Sequence, residues 1–203
     1  MNLPNIDTSA LFKIEYGLYV LTTSDGEKDN GCIVDAVMQV TSTPERVAVA
    51  VNKDNYSHGL ILKTGKFNLN CICKNAPFEL FKNFGFQSGR NADKFDGVEF
   101  WRSENGVPVL IENVNAFISL CVDSTVDLGT HTLFICDVKC AREISGEETI
   151  TYSYYRSHTK NTAAKPKKGF VCTVCGYVHE GEELPDDFVC PICKQGAEVF
   201  KAL

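Results

Sequence analysis

Two Cys-x-x-Cys pairs, Cys172/Cys175 and Cys190/Cys193, lie near the end of the chain with fourteen residues between them. No other feature restricts the fold so tightly. Each pair makes a tight turn on which two thiolates converge, and Gly176 directly after the first pair eases that turn. Two such turns facing one another form a tetrahedral S4 cage, suited to iron or to zinc. Residues 168–203 are too few to bury an adequate core unaided, so metal binding would supply folding energy directly. A thioredoxin-like redox pair needs only one Cys-x-x-Cys and a βαβ context; two pairs without that context argue against it. Spacing alone leaves iron and zinc open.

The other six cysteines, Cys32, Cys71, Cys73, Cys121, Cys136 and Cys140, are spread along apolar segments. There Cys serves as a small buried hydrophobe, and none of the six has a nearby His or Cys-x-x-Cys partner. Cys71 and Cys73 alternate, so on a strand they share one face. The N-terminus lacks the basic start and apolar stretch of a secretory signal, and no apolar run approaches bilayer-spanning length. A cytoplasmic protein with reduced thiols is expected.

The formal net charge of −6 divides unevenly. Residues 168–203 carry −3, residues 158–167 carry +3, and residues 1–157 carry the remaining −6. An acidic balance argues against nucleic acid, which needs a basic footprint. An acidic small domain suits docking on a basic patch of a protein partner. The segment 158–167 (HTKNTAAKPK) is small, polar and basic with no apolar periodicity, a linker composition.

Between Tyr16 and Tyr155 short strands alternate with turn signals. Candidates are Leu18–Thr23, Gly31–Val40, Arg46–Val51, Lys66–Cys73, Asn115–Val122, Thr132–Cys140 and Thr149–Tyr155, rich in Val, Ile, Thr, Tyr and Phe. Asp25-Gly26, Asn30-Gly31 and Asn105-Gly106 mark turns. Asn55–Lys63 places polar capping residues ahead of Leu60, Ile61 and Leu62, which predicts a short helix. Pro77–Phe84 begins with a first-turn Pro and spaces Phe78, Phe81 and Phe84 along one face of a second. The pattern predicts a mainly β domain with short helices, its edges removed by a closed or nearly closed barrel. No G-x-G-x-x-G, P-loop or H-E-x-x-H motif occurs, and no nucleophile–base arrangement marks a catalytic residue.

The flanks of the cysteines carry a resemblance. Gly169-Phe-Val-Cys-Thr-Val-Cys-Gly-Tyr-Val178, with Leu184-Pro-Asp-Asp-Phe-Val-Cys-Pro-Ile-Cys193, closely resembles rubredoxin throughout residues 168–203. The resemblance implies one iron rather than zinc, held by Cys172, Cys175, Cys190 and Cys193, with Phe170, Tyr177, Phe188 and Phe200 beside it. Phe188 stands where rubredoxins commonly carry Trp, and the loop between the pairs is shorter than in free-standing forms. Shortened forms of this kind occur as fused domains.

Residues 10–157 resemble the flavin reductase-like FMN-binding split β-barrels. The resemblance rests on Tyr16-Gly-Leu-Tyr-Val-Leu-Thr-Thr23, Asn30-Gly-Cys-Ile-Val-Asp-Ala-Val-Met-Gln-Val-Thr-Ser-Thr-Pro44, Val49-Ala-Val-Asn-Lys-Asp-Asn-Tyr-Ser-His58, Gly65-Lys-Phe-Asn-Leu-Asn70 and Gly129-Thr-His131. It implies a non-covalent flavin, FMN rather than FAD, usually in a homodimer. The segment Asp35, Ala36, Val37, Met38, Gln39, Val40 and Thr41 would run along the isoalloxazine and ribityl chain, with Asn30 at the turn before it. Asn52, Lys53, Asn55, Ser57 and His58 would lead into the first helix, whose free N–H groups suit the flavin phosphate. Lys94 and His131 would also lie near the cofactor. Lys53 and Lys94 as solvated surface charges, and His131 as a solvent-facing strand residue, are the plainer readings.

A barrel at 1–157, a linker at 158–167 and a knuckle at 168–203 follow the order of the high-molecular-weight rubredoxins of anaerobic bacteria. That resemblance implies electron relay from an NAD(P)H-dependent reductase, through FMN and iron, to an acceptor such as a flavodiiron protein. The rival reading is an enzyme, an NAD(P)H:flavin or ferric reductase. A zinc-bearing structural role is a third.

Overall fold

Two strands adjacent in sequence stand at opposite ends of the main sheet, and this dictates the architecture. The computed structural model describes residues 8–11, 13–160, 169–174, 177–192 and 194–203. A helical turn, α1 (Thr8–Leu11), precedes β1 (Tyr19–Ser24), β2 (Asp29–Val34), β3 (Val37–Ser42) and β4 (Glu45–Asn52). Next come α2 (Tyr56–Thr64), β5 (Lys66–Ile72) and α3 (Phe78–Gly85). The hairpin β6 (Phe100–Arg102) and β7 (Pro108–Leu110) then leads to the long pair β8 (Val114–Asp127) and β9 (His131–Glu143).

Seven of these strands form one antiparallel sheet in the order β2-β1-β5-β8-β9-β4-β3. Its end strands, β2 and β3, are separated in the chain only by Asp35 and Ala36. Three peptide steps from Val34 to Val37 reach at most about 11 Å, so the sheet must curl until its edges nearly meet. The barrel is closed by the chain and left open in hydrogen bonds. The sequence predicted one strand over Gly31–Val40. It breaks at Asp35-Ala36 because β2 pairs with β1 while β3 pairs with β4.

The curled sheet encloses Leu21, Val49, Val51, Phe67, Leu69, Leu120 and Phe134. A second cluster, with Val20, Ile72, Phe81, Phe84 and Leu110, lies on the other face of β1 and β5, under α3 and the β6–β7 hairpin. These two strands are therefore buried on both faces, which admits polar residues only when they are fully bonded. Asn68 Nδ2 donates to Ser103 Oγ at 2.8 Å, and Asn70 donates to Val20 O at 2.9 Å while accepting from Leu110 N at 3.0 Å. Two asparagines thus fasten the hairpin to the barrel. Phe84 packs so closely on β2 that a Cβ at Gly31 would stand 2.8 Å from its ring.

The predicted strand Thr149–Tyr155 is not a strand. Thr149 and Thr151 make isolated bridges to Cys73 and Gly17. The Thr151 hydroxyl then accepts from Tyr154 N and starts α4 (Tyr152–Tyr154), which continues as a π-helix over Tyr155–Thr159. Residues 158–160, predicted as the start of the linker, are accordingly helical, with His158 stacked on Tyr154. The rest of that linker lies outside the described residues.

The chain divides into two compact units after Lys160. The second is built on β10 (Gly169–Cys172), β11 (Val178–Glu180) and β12 (Phe200–Ala202), in the order β11-β10-β12. Tyr177, Phe188 and Phe200 form an aromatic cluster, joined by His179 against Phe188. Among the described residues no helix is long and apolar enough to cross a membrane.

Candidate cofactor sites

One end of the barrel seam gathers most of the predicted flavin residues. β4 ends at Asn52, which pairs with His131, the first residue of β9. Lys53 N donates to Thr130 O at 3.0 Å, and the chain turns at once into α2. Asn55 stands at the N-cap in extended conformation without a side-chain cap. The helix thus opens with N–H groups that intrahelical bonds cannot use, an arrangement receptive to an anion. The first turn is tied to two strands: Asn30 Nδ2 donates to Ser57 Oγ at 2.8 Å, and His58 Nε2 lies 2.8 Å from Thr132 Oγ1.

Asp35 and Ala36 form the link across the seam, with Ala36 O accepting from Ala50 N at 2.9 Å. Burial pushes the Asp35 carboxyl above its ordinary range, opposed by the backbone N–H groups of Asp35 and Ala36 and by nearby His131. Asn30 is buried, and its Oδ1 finds no hydrogen-bond partner among the described residues. A Cβ at Gly89 would collide with that oxygen. A buried, unpaired amide oxygen costs free energy unless something else meets it. An uncapped helix start and an unsatisfied amide at one end of a seam fit a polar, anionic cofactor.

Asn52, Lys53, Asn55, Ser57, His58 and His131 thus gather about the start of α2, with Asn30 bonded to Ser57 and Asp35 near His131, while Ala36 and Val37 follow on the link and the start of β3. The remaining predictions divide. Met38, Gln39, Val40 and Thr41 continue along β3, where Met38 is 63% exposed and the strand is open on both faces. Lys94 stands against β2, beside Cys32 and next in line to Asn30. It is only 2% exposed, and its Nζ donates to Gly31 O at 2.9 Å and Phe84 O at 3.0 Å, stapling the end of α3 to β2. Burial lowers its pKa. The solvated-charge reading of Lys94 is therefore overturned. Lys53 pairs with Asp127 at 2.6 Å, and that bond holds the Asp127 carboxyl below its ordinary value.

Sequence reasoning missed Lys28, Arg90 and Thr132. Arg90 donates to Asp54 O at 2.8 Å, and Lys28 donates to Gly89 O. Their cations lie 5.6 and 5.2 Å from the Tyr56 ring centroid. The run Ser88-Gly89-Arg90 was a usable signal, since Gly permits close backbone approach beside a cation.

In the second unit, Cys172 and Cys190 are 1% and 0% exposed and are its only buried hydrophobics among the described residues. Cys175, Gly176 and Cys193 lie outside the described residues. The second knuckle is visible in its backbone: Cys190 N donates to Gln195 O and Lys194 N to Cys190 O, at 2.8 and 2.9 Å. Lys194, directly after the second pair, has φ 60°, the left-handed conformation that favours Gly. Buried thiols as the only buried hydrophobics among the unit's described residues fit a metal.

Residues 11–163 match the model of the flavin reductase like domain. The chain belongs to the flavin reductase-like family. Beyond this domain, residues 170–201 match the rubrerythrin, rubredoxin-like domain. A high molecular weight rubredoxin of Moorella thermoacetica is 34% identical, with 98% of this chain and 100% of that protein covered. A ferric-chelate reductase (NAD(P)H) of Archaeoglobus fulgidus is 35% identical, over 74% of this chain and 89% of its own. The fold also matches an FMN-binding protein from Thermus thermophilus, with TM-score 0.61 and 23% identity over 70% of this chain and 76% of that one. In the flavin reductase-like domain the seam with its uncapped helix is the candidate flavin site; the rubredoxin-like domain carries the two Cys-x-x-Cys pairs.

Proposed function

We propose that this chain is a cytoplasmic electron carrier, receiving electrons from an NAD(P)H-dependent reductase and delivering them to an acceptor such as a flavodiiron protein. The observation that carries the reading is the fusion itself: a flavin reductase-like barrel with a polar, anion-receptive seam, followed by a unit whose core is its buried cysteines. FMN is the cofactor assigned to the seam, and one iron to Cys172, Cys175, Cys190 and Cys193. A flavin exchanges electrons in pairs or singly and one iron exchanges them singly, so together they convert two-electron into one-electron traffic.

The residues have distinct parts. The start of α2, with Lys53 and Arg90 beside it, would receive the phosphate. Asp35–Val37 would line the ring system, and Met38–Thr41 would extend that wall. Asn30 would hold the first turn of α2 in place through Ser57. A homodimer is part of the reading, because β3 is exposed on both faces and carries Met38 and Val40, while Val126 and Leu128 are exposed at the β8–β9 turn. The acidic second unit suits an acceptor with a basic docking face.

The test is a visible spectrum of purified protein before and during anaerobic titration with NADH. Flavin bands with ferric–thiolate absorption, bleached slowly by NADH and quickly after a reductase is added, are expected. Colourless protein would sink the reading and leave a zinc-bearing structural role. The similarity to a ferric-chelate reductase favours a second reading, in which the barrel takes hydride from NAD(P)H itself. Rapid bleaching by NADH alone would select it.

A further inference from the structure

The first turn of α2 is joined to β9 through one buried polar contact. His58 and Thr132 are each 7% exposed, with Nε2 and Oγ1 2.8 Å apart. The imidazole meets Phe134 edge-on, ring centroids 5.7 Å apart. Thr132 directly follows His131, which pairs with Asn52, and Thr132 itself pairs with Val51. The contact therefore acts where β4, β9 and the Asp35 link converge. Packing alone would be served as well by an apolar side chain, and a polar pair buried here costs desolvation that the bond must offset.

We propose that His58 is a positioning residue: through Thr132 it fixes His131 and the 130–132 backbone against Asn52 and Asp35, and so sets how tightly the seam holds flavin. The inference rests on the flavin reading above.

His58 does this in its neutral form. It is the third residue of α2, where the positive end of the helix faces it. Burial lowers its pKa, and Lys53 in the turn before the helix lowers it further. Lys53 is itself paired with Asp127, and His131, next to Thr132 on β9, lies near Asp35 on the link. Because the folded value is depressed, the contribution is fully present above the unfolded value of about 6.5 and is lost as pH falls through the folded one. Burial and Lys53 both disfavour the charged ring, so the support it gives the seam weakens in acid.

The experiment titrates FMN into flavin-depleted full-length protein, followed by FMN fluorescence between pH 5 and 8. His58→Leu and Thr132→Val should each weaken binding about five- to tenfold at pH 7.5, the worth of one buried hydrogen bond. The double variant should be no weaker than the weaker single, because both remove one interaction. His58→Gln keeps a hydrogen-bonding group that does not titrate; it should restore most of the affinity and flatten the acid decline. Variants with lowered melting temperature but wild-type FMN affinity and pH profile would overturn the proposal, as would additive losses in the double variant. Wild-type protein that leaves FMN fluorescence unchanged at every pH would overturn the flavin reading and this proposal together. Wild-type binding matched by every variant would overturn this proposal alone.

Discussion

In the first unit β1 and β5 are covered on both faces, and five phenylalanines are almost completely buried, at Phe67, Phe81, Phe84, Phe117 and Phe134. In the second, the buried hydrophobics among the described residues are Cys172 and Cys190. The first unit has apolar area enough to hold its shape before any cofactor arrives. The second must draw its folding energy from the bonds its thiolates make. Cofactor binding thus plays opposite parts at the two ends of the chain. At the seam it is added to a finished structure, while in the knuckle it is the structure.

The most severe break of that contrast is Cys190→Ser. It should abolish the ferric–thiolate spectrum and the cooperative fold of the second unit, seen as lost dispersion for residues 169–203 in an NMR spectrum, while FMN still binds. Flavin loss in that variant would show that the units are not separable. Chelation of the metal should reproduce the effect without mutation.

Phe67→Ala attacks the other side. Removing a fully buried ring that meets Phe134 edge-on should cost the first unit about 3–5 kcal/mol, read from urea unfolding. The metal absorption should be unchanged at denaturant concentrations where this unit has melted. Lys194→Gly should stabilise the second unit by about 0.5–1 kcal/mol, by relieving a left-handed residue at the knuckle, measured as slower metal release.

The smallest effect concerns Asp25 in the first unit. A hydrogen bond from Lys63, backed by the N–H groups of Lys28 and Glu27, holds its carboxyl down to about 2. A depressed folded value gives stability that is present above the unfolded value, about 3.9, and lost as pH falls through about 2. Asp25→Asn should therefore show a shallower drop in urea midpoint than wild type between about pH 4 and pH 2. The metal spectrum should follow the same acid profile in both proteins.

The same contrast governs what the sequence made legible. Cys-x-x-Cys spacing announced the second unit because the ligands and their turn residues are contiguous in the chain. In the first unit β1, β4, β5, α2 and α3 were visible through local patterning, since alternation and capping act over a few residues. The break at Asp35-Ala36 was not, because it depends on which strand pairs with which, a relation between distant segments. The β6–β7 strands escaped for a similar reason: three residues each hold little pattern, and their stability comes from Asn68 and Asn70 elsewhere. Lys94 illustrates the limit for site residues. The resemblance placed it near a cofactor and its type suggested a solvated charge, but its burial and two carbonyl partners were knowable only from the fold.

The link at Asp35-Ala36 has one further consequence. In a barrel zipped shut by a ladder, the spacing between strands is fixed by hydrogen-bond geometry at about 4.8 Å. Here no ladder spans the two edges, and the clearance is limited by the number of residues in the link. The width of the opening is thus a matter of chain length, a tether that evolution or a protein engineer could let out one residue at a time while every strand keeps its partners.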